Sequence, residues 1–361
     1  MKSVSFITIH FGANFGSVLQ TIATYRILES LNCDVTCINY IQDRWTWRAY
    51  FNVKNPVRLV RRILYSPIEF ANRYIYQSFL KKYVKLTPEI YKEDFLIKCP
   101  KSDIYITGSD QVWNSKHNLG VDTIYYYENI QAPKVAFASS FGQEQLSEKE
   151  YTAVKELLGS YSHLSVREES GKRIVESMGY HAEHLLDPTF LLNKEEWQSY
   201  MSQRKIKEDY LLIYTPYNTV NKQAIFDAAY SIAQEKNLKI VTFSWNWQKE
   251  KMADHTITFA NPGDFLSLMH YATYVITNSF HGTAFSINLN KQFSVFMPSS
   301  FSTRISSIIE LCGLQSRIVP EQFSIEQSKE YIDYTSVNKV LDAERKKSIE
   351  FLIQALSEHV L

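Results

Sequence analysis

Several short polar turns in this chain carry side chains able to do chemistry, and each is tied to a run of apolar residues. Asn278-Ser279-Phe280-His281-Gly282-Thr283 lies between the apolar run Tyr274-Val275-Ile276 and a helical segment at 284–289. A strand that feeds a helix through such a turn presents backbone N–H groups at the carboxyl end of a sheet, which is an anion seat. His281 puts an imidazole, a side chain type whose ordinary pKa lies near neutrality, beside that seat, although the same spacing suits an ordinary loop whose histidine packs. Gly108-Ser109-Asp110-Gln111-Val112-Trp113-Asn114 follows the run Ile104–Thr107. It offers a carboxylate to take a hydroxyl proton, an indole to stack on a sugar face, and two amides. Arg167, at the end of the run His163–Val166, can grip a carboxylate or phosphate bidentately or pair with the adjacent Glu168. Arg304 is expected early in a helix capped by Ser302-Thr303, facing the same edge.

These residues need strands behind them and helices after them, and the chain supplies both twice. A strand at 4–9 leads through Phe11-Gly12-Ala13-Asn14-Phe15-Gly16 to a helix expected to start on a Ser17 cap, and a strand at 35–40 completes a βαβ unit. Asn14-Phe15 occupies the centre of that glycine turn, so the dinucleotide fingerprint GxGxxG is missing and NAD is disfavoured. The strand Lys134–Ser139, a helix at 146–158 and a helix at 170–178 continue the first half, which Asp187-Pro188 closes. Residues 193–208 are polar and read as a helical hinge. A second α/β series follows, with strands Tyr210–Tyr214 and 240–243, helices Lys222–Lys236 and Pro262–Tyr271, and a long amphipathic helix at 337–359. The expected organisation is α/β, with domains at 1–192 and 193–335 and a closing helix, 336–361, crossing back to the first.

With 361 residues, 45% hydrophobic and 21% charged, the chain has material for two cores. A net charge of +1 argues against a nucleic-acid partner held by a global basic field. Cys33, Cys37, Cys99 and Cys312 lack zinc-like pairing, so no metal is expected, and they read as reduced thiols of a cytoplasmic protein. No apolar run is long enough to span a bilayer, and the start MKSVSFITIHFG is too short in its apolar part for a signal peptide.

Residues 44–83 differ in texture, with nine Lys/Arg against one acidic residue, interleaved with Trp45, Trp47, Tyr50, Phe51, Tyr65 and Tyr74. Such a segment reads either as a surface for anionic headgroups or pyrophosphates, or as a helical insertion whose charges face water.

With NFGSVLQ (14–20), GSDQVWN (108–114), SVREES (165–170), LLDPTFLL (185–192) and NSFHGTAFSINL (278–289) in this order, the chain resembles the polysaccharide pyruvyltransferase family from about residue 4 to about residue 315. The resemblance implies two Rossmann-like domains facing a cleft, similar to the B-type glycosyltransferase fold. It implies transfer of a pyruvyl group from phosphoenolpyruvate to a sugar of a surface polysaccharide such as a capsule or exopolysaccharide, or of its lipid-linked repeat unit, as a ketal and without a cofactor. The family's acidic residue falls on Asp110, its Ser-x-Arg arginine on Arg167 and its histidine on His281, the expected catalytic group. Where members often carry Arg two residues before the histidine, this chain has Ser279, and Arg304 is the substitute for that second cation. Arg167, Arg304, Ser279, His281, Gly282 and Thr283 are then expected at the donor. Asn14, Phe15, Gly16, Gln111, Trp113 and Asn114 are expected at the glycan or lipid-linked oligosaccharide acceptor, with peripheral contact to the inner face of the membrane through 44–83. Two other readings stay open, a nucleotide-sugar glycosyltransferase with Glu310 as its ribose contact and a non-catalytic glycolipid-binding scaffold.

Overall fold

Where the apolar runs fall decides the architecture. The computed structural model describes residues 1–217, 222–299, 302–320 and 323–358. The chain divides into two compact units, Met1–Leu191 with Glu344–Leu361, and Leu192–Ala343.

In the first unit six parallel strands form one sheet: β1 (Lys2–Ile7), β2 (Cys33–Cys37), β3 (Ile104–Thr107), β4 (Lys134–Ser139), β5 (His163–Val166) and β6 (Glu183–His184). β3 and β4 are buried along their whole length, as continuous apolar runs in a parallel sheet must be. The order β2-β1-β3-β4-β5-β6 reverses direction between β1 and β3. At such a switch point the loops leaving the two strands part and leave a crevice at the carboxyl ends. The pairing of Ile7 with Thr107 brings the loops at 8–14 and 108–114 to that point side by side.

The first helix, Phe15–Ser30, starts two residues before the expected Ser17, because the Asn14 side chain caps it by accepting from the Gly16 and Ser17 N–H groups at 2.9 and 3.3 Å. That frees the Ser17 hydroxyl for another partner. The insertion forms a short helix, Trp47–Phe51, and a long one, Pro56–Tyr83, started by an Asn55 cap and a proline at its first position. Its second half docks on the unit: Tyr76 stacks on Phe15 at 5.3 Å, and Arg73 reaches the Trp45 carbonyl at 2.7 Å.

All four cysteines are free thiols. Burial holds the Cys37 thiol well up and Cys99 at about 11, so neither offers a thiolate near neutrality. His10 is buried, 2.9 Å from Asn39 Oδ1 through Nε2 and 3.2 Å from the Thr8 carbonyl through Nδ1. Burial lowers its pKa despite both contacts, which tie the loop after β1 to Asn39.

The second unit holds five parallel strands, β7 (Tyr210–Tyr214), β8 (Lys239–Ser244), β9 (His255–Thr258), β10 (Tyr274–Thr277) and β11 (Gln292–Val295), in the order β11-β10-β7-β8-β9. Its switch point lies between β7 and β10. The segment 193–208 is helical only over Lys194–Gln198 and lies just past the division between the units, within the second. Trp197 is buried against Tyr200 and Phe285 inside this unit, which outweighs the polar residues around it. The closing helix runs Tyr334–Ser357; its residues from 344 onward group with the first unit, and the expected end at His359 lies outside the described residues. No described helix is long and apolar enough to cross a membrane.

Candidate active site

In the first unit the switch-point loops are joined by a buried charged cluster. Gly108 opens the turn after β3 with φ +113°, and a Cβ there would meet the Phe137 carbonyl oxygen at 2.3 Å, so only glycine fits against β4. Asp110 then adopts the left-handed conformation (φ +66°), which aspartate tolerates better than most residues and which turns its carboxylate toward the helix from β1. Ser17 Oγ donates to Asp110 Oδ2 at 2.9 Å, and the Gln111 N–H donates to Oδ1 at 2.9 Å. Arg167 donates from Nη2 to the same Oδ1 at 2.9 Å and from Nη1 to Asp187 Oδ2 at 2.5 Å. Asp187 is fixed in turn by the Thr189 N–H and hydroxyl, at 3.0 and 2.7 Å.

Burial alone would lower the pKa of the Arg167 guanidinium; Asp187, Asp110 and Glu168 outweigh it and push it up, so the cation is locked on. The alternative of an Arg167–Glu168 pair gives way to different partners. Glu168 Oε1 accepts from Ser140 Oγ and from the Phe141 and Gly142 N–H groups at 3.0, 2.8 and 2.9 Å. Arg167, with its side chain fully buried, is thus engaged by two carboxylates within its own unit.

The amides and rings expected at the acceptor have separate positions. Asn14 is exposed at its cap, whereas Phe15 packs beneath it on Tyr76 and Gly16 is buried. Gln111 accepts from Asn114 Nδ2 at 2.6 Å, and Asn114 Oδ1 caps the next short helix through the His117 N–H at 3.0 Å. Trp113 is only 2% exposed, stacked on Tyr126 at 5.4 Å and tilted against Phe141 at 5.1 Å. It supports the loop from within and presents no free face for a sugar, because the indole gains more from the aromatic core than from water.

In the second unit the helix after β10 is Phe280–Asn288, four residues earlier than expected, because Ser279 occupies the cap position and its Oγ accepts from the Gly282 N–H at 3.5 Å. His281 therefore sits in the first helical turn, where N–H groups point outward and the helix dipole favours negative charge. Gly282 lets this turn close on its strand, since a Cβ there would come 2.1 Å from Thr277 Oγ1 and 2.9 Å from Tyr214. Thr283 Oγ1 donates back to the Ser279 carbonyl at 3.0 Å. Asn278 donates from Nδ2 to the Tyr217 carbonyl at 3.1 Å, tying the loop after β10 to the loop after β7.

Phe280 brings the two expected donor residues to one place. The His281 ring packs on it at 5.1 Å, and the Arg304 guanidinium lies over it at 5.5 Å. Arg304 is the second residue of the helix Thr303–Leu311; Ser302 precedes that helix without the side-chain cap expected of it. Arg304 is 2% exposed, its Nε is buried without an acceptor, and it makes no ion pair to a described residue. An arginine desolvated this far without a carboxylate is costly to keep. Glu310, the carboxylate expected of a nucleotide-sugar site, is exposed near the far end of the same helix.

A direct comparison accords with the order of these turns: the sequence model for polysaccharide pyruvyl transferase matches residues 14–300. The chain belongs to the polysaccharide pyruvyl transferase family. As a family member it is a transferase of polysaccharide biosynthesis, and the matched span includes Asp110, Arg167 and His281 but stops short of Arg304. No curated protein matches this pyruvyl transferase chain closely. Among solved structures it is similar to a putative UDP-N-acetylglucosamine 2-epimerase from Listeria monocytogenes (TM-score 0.54, 11% identity, 98% of this chain and 90% of that one). It is also similar to UGT89C1 of Arabidopsis thaliana, complexed with quercetin (TM-score 0.53, 9% identity, all of both chains). The Neisseria meningitidis UDP-GlcNAc 2-epimerase bound to UDP-GlcNAc gives 0.51 at 10% identity, over 99% and 100% of the two chains. At such identities the likeness is one of fold, that of the B-type glycosyltransferases with two Rossmann-like domains.

Sequence reasoning named Asp110, Arg167, His281 and Arg304 but missed what holds them. Ser17 was read as a cap, and Asp187 only as the residue before a proline. A carboxylate flanked by Leu185-Leu186 and Phe190-Leu191-Leu192 was the available signal, since a charge inside an apolar run must find a buried partner. Phe280 carried no signal beyond its apolar character.

Proposed function

We propose that this pyruvyl transferase moves the pyruvyl group of phosphoenolpyruvate onto two hydroxyls of a sugar in a surface polysaccharide or its lipid-linked repeat unit, forming a ketal. The observation that carries the reading is the buried Arg304 guanidinium beside the first turn of Phe280–Asn288, with no carboxylate among the described residues to neutralise it. A small ligand bearing a phosphate and a carboxylate supplies the missing negative charge. In this reading Arg304 and the positive end of the helix Phe280–Asn288 hold the donor anion, with Ser279, Gly282 and Thr283 shaping that first turn: the Gly282 and Thr283 N–H groups are themselves taken by the Ser279 hydroxyl and carbonyl.

His281 delivers a proton to the methylene carbon of the enol phosphate, which leaves positive charge on the carbon bearing the phosphate oxygen. A sugar hydroxyl adds to that carbon and gives up its proton, with Asp110 as the acceptor. The carbon–oxygen bond to phosphate then breaks, inorganic phosphate departs with the bonding pair, and a second hydroxyl closes the ketal with loss of its proton. Asn14, Gln111 and Asn114 are assigned to the acceptor side, with Phe15, Gly16 and Trp113 supporting them. Arg167 acts through Asp110, whose carboxylate it positions.

Ligand-dependent melting tests the donor assignment. Phosphoenolpyruvate at about a hundred times its dissociation constant is expected to stabilise by about 2.7 kcal/mol. For a unit of this size that is roughly 5–10 °C. UDP-sugars at equal concentration are expected to leave the transition in place, and the reverse pattern transfers the seat to a nucleotide-sugar reaction.

A further inference from the structure

The insertion helix Pro56–Tyr83 docks through its second half, by Tyr76 on Phe15 and Arg73 on Trp45, while Arg62 in its first half is tied to the short helix through the Ala49 and Tyr50 carbonyls. From Val57 to Tyr74 it carries an apolar face that the described residues leave largely open. Val57, Val60, Ile63, Leu64, Phe70 and Tyr74 are all more than half exposed, from 53% at Ile63 to 76% at Val57. At the helical step of about 100° per residue they fall within one arc of about 140°. No charged residue falls in that arc between Val57 and Tyr74. Scattered exposed hydrophobics need no explanation, but a continuous stripe marks an interaction surface.

The surroundings say what kind. Arg58 and Arg61 are exposed along one edge of the stripe, and Arg48 and Lys54 are exposed on the segment leading into it. Trp47 and Phe51 stack on one another at 6.0 Å, and Trp47 lies 6.5 Å from Phe70, which extends the stripe with half-exposed aromatics. The residues 44–83 hold nine basic side chains against one acidic one in a chain of net charge +1, so the remainder is net acidic and the basic charge is concentrated on this element. An apolar stripe edged with arginine and ending in tryptophan is the makeup of a helix that lies in a bilayer interface.

We propose that Trp47–Tyr74 forms an interfacial membrane anchor, its apolar stripe entering the headgroup–acyl boundary and its arginines meeting anionic lipid phosphates. A basic edge complements an anionic bilayer, whereas a second copy seated stripe to stripe would set the same arginines close together. The proposal is independent of the reaction assigned to the enzyme.

Co-sedimentation with vesicles tests it. Wild-type protein is expected to pellet with phosphatidylcholine–phosphatidylglycerol vesicles and to remain in solution with phosphatidylcholine alone. Val60→Ser with Leu64→Ser, and separately Arg58→Glu with Arg61→Glu, are expected to weaken binding by about tenfold or more at unchanged melting temperature, on the scale of about 1 kcal/mol per basic side chain at a charged surface. Equal binding by both variants overturns the proposal, as does wild type that ignores anionic vesicles. So does a lipid-free dimer that the serine variant dissociates, since that assigns the stripe to a second copy.

Discussion

Arg304→Met is expected to lower kcat/KM for phosphoenolpyruvate by about a hundredfold to a thousandfold, the scale for losing one preorganised charge contact, while the melting temperature stays level or rises. The two halves of that result have one cause. Arg304 is buried on the Phe280 ring with Nε unpaired, so the folded protein carries the desolvation of a guanidinium that no described carboxylate offsets. Methionine fills similar space without that cost, so stability does not fall, and the donor loses its cation. His281→Ala, from the same platform, is expected to reduce turnover by about a hundredfold to ten-thousandfold, the range for a general acid. Steady-state kinetics beside thermal melting check both. Wild-type kinetics in Arg304→Met would remove the guanidinium from the donor seat, and a collapse in its melting temperature would make it a structural residue.

Arg167→Met is expected to do the opposite, acting first on stability. Its removal leaves Asp110 and Asp187 facing a buried space that held their shared cation at 2.9 and 2.5 Å. Breaking a buried pair by deleting one partner costs about 3–5 kcal/mol. At roughly 2–4 °C per kcal/mol for a unit of this size, the transition falls by roughly 6–20 °C. Adding Asp187→Leu to the same protein is expected to restore part of the loss, because one stranded charge goes with it. The double-mutant cycle should therefore be strongly non-additive. Two small, additive effects would show that the cluster contributes little, and that the position of Asp110 rests on Ser17 and the Gln111 N–H.

How far the sequence could be read depended on the range of the interaction. The strands Ile104–Thr107, Lys134–Ser139, His163–Val166 and Tyr210–Tyr214 fall where the apolar runs placed them, since a parallel strand buried on both faces leaves a continuous signature. β9 was not read: His255–Thr258 is a half-buried edge strand with one strongly apolar residue in four. Helix starts were misplaced by two to four residues at Phe15 and Phe280, where several polar residues in one turn compete for the cap and only geometry selects Asn14 and Ser279. Two α/β series and the pyruvyl transferase family were legible from ordered motifs. The partners of Arg167 were not, because Asp110 and Asp187 lie 57 and 20 residues away and no local pattern pairs them. Trp113 is the same lesson reversed, since Asp110, Gln111 and Asn114 give its turn a polar signature while its contacts, Tyr126 and Phe141, come from later in the chain.

The reaction itself has the most direct test. The protein is incubated with phosphoenolpyruvate and a panel of aryl glycosides and lipid-linked saccharides, and the products are analysed by mass spectrometry with inorganic phosphate measured in parallel. The account requires one acceptor to gain the mass of a pyruvyl ketal with one phosphate released per product. An acceptor that gains a hexose from a nucleotide sugar, with phosphoenolpyruvate left intact, would contradict it.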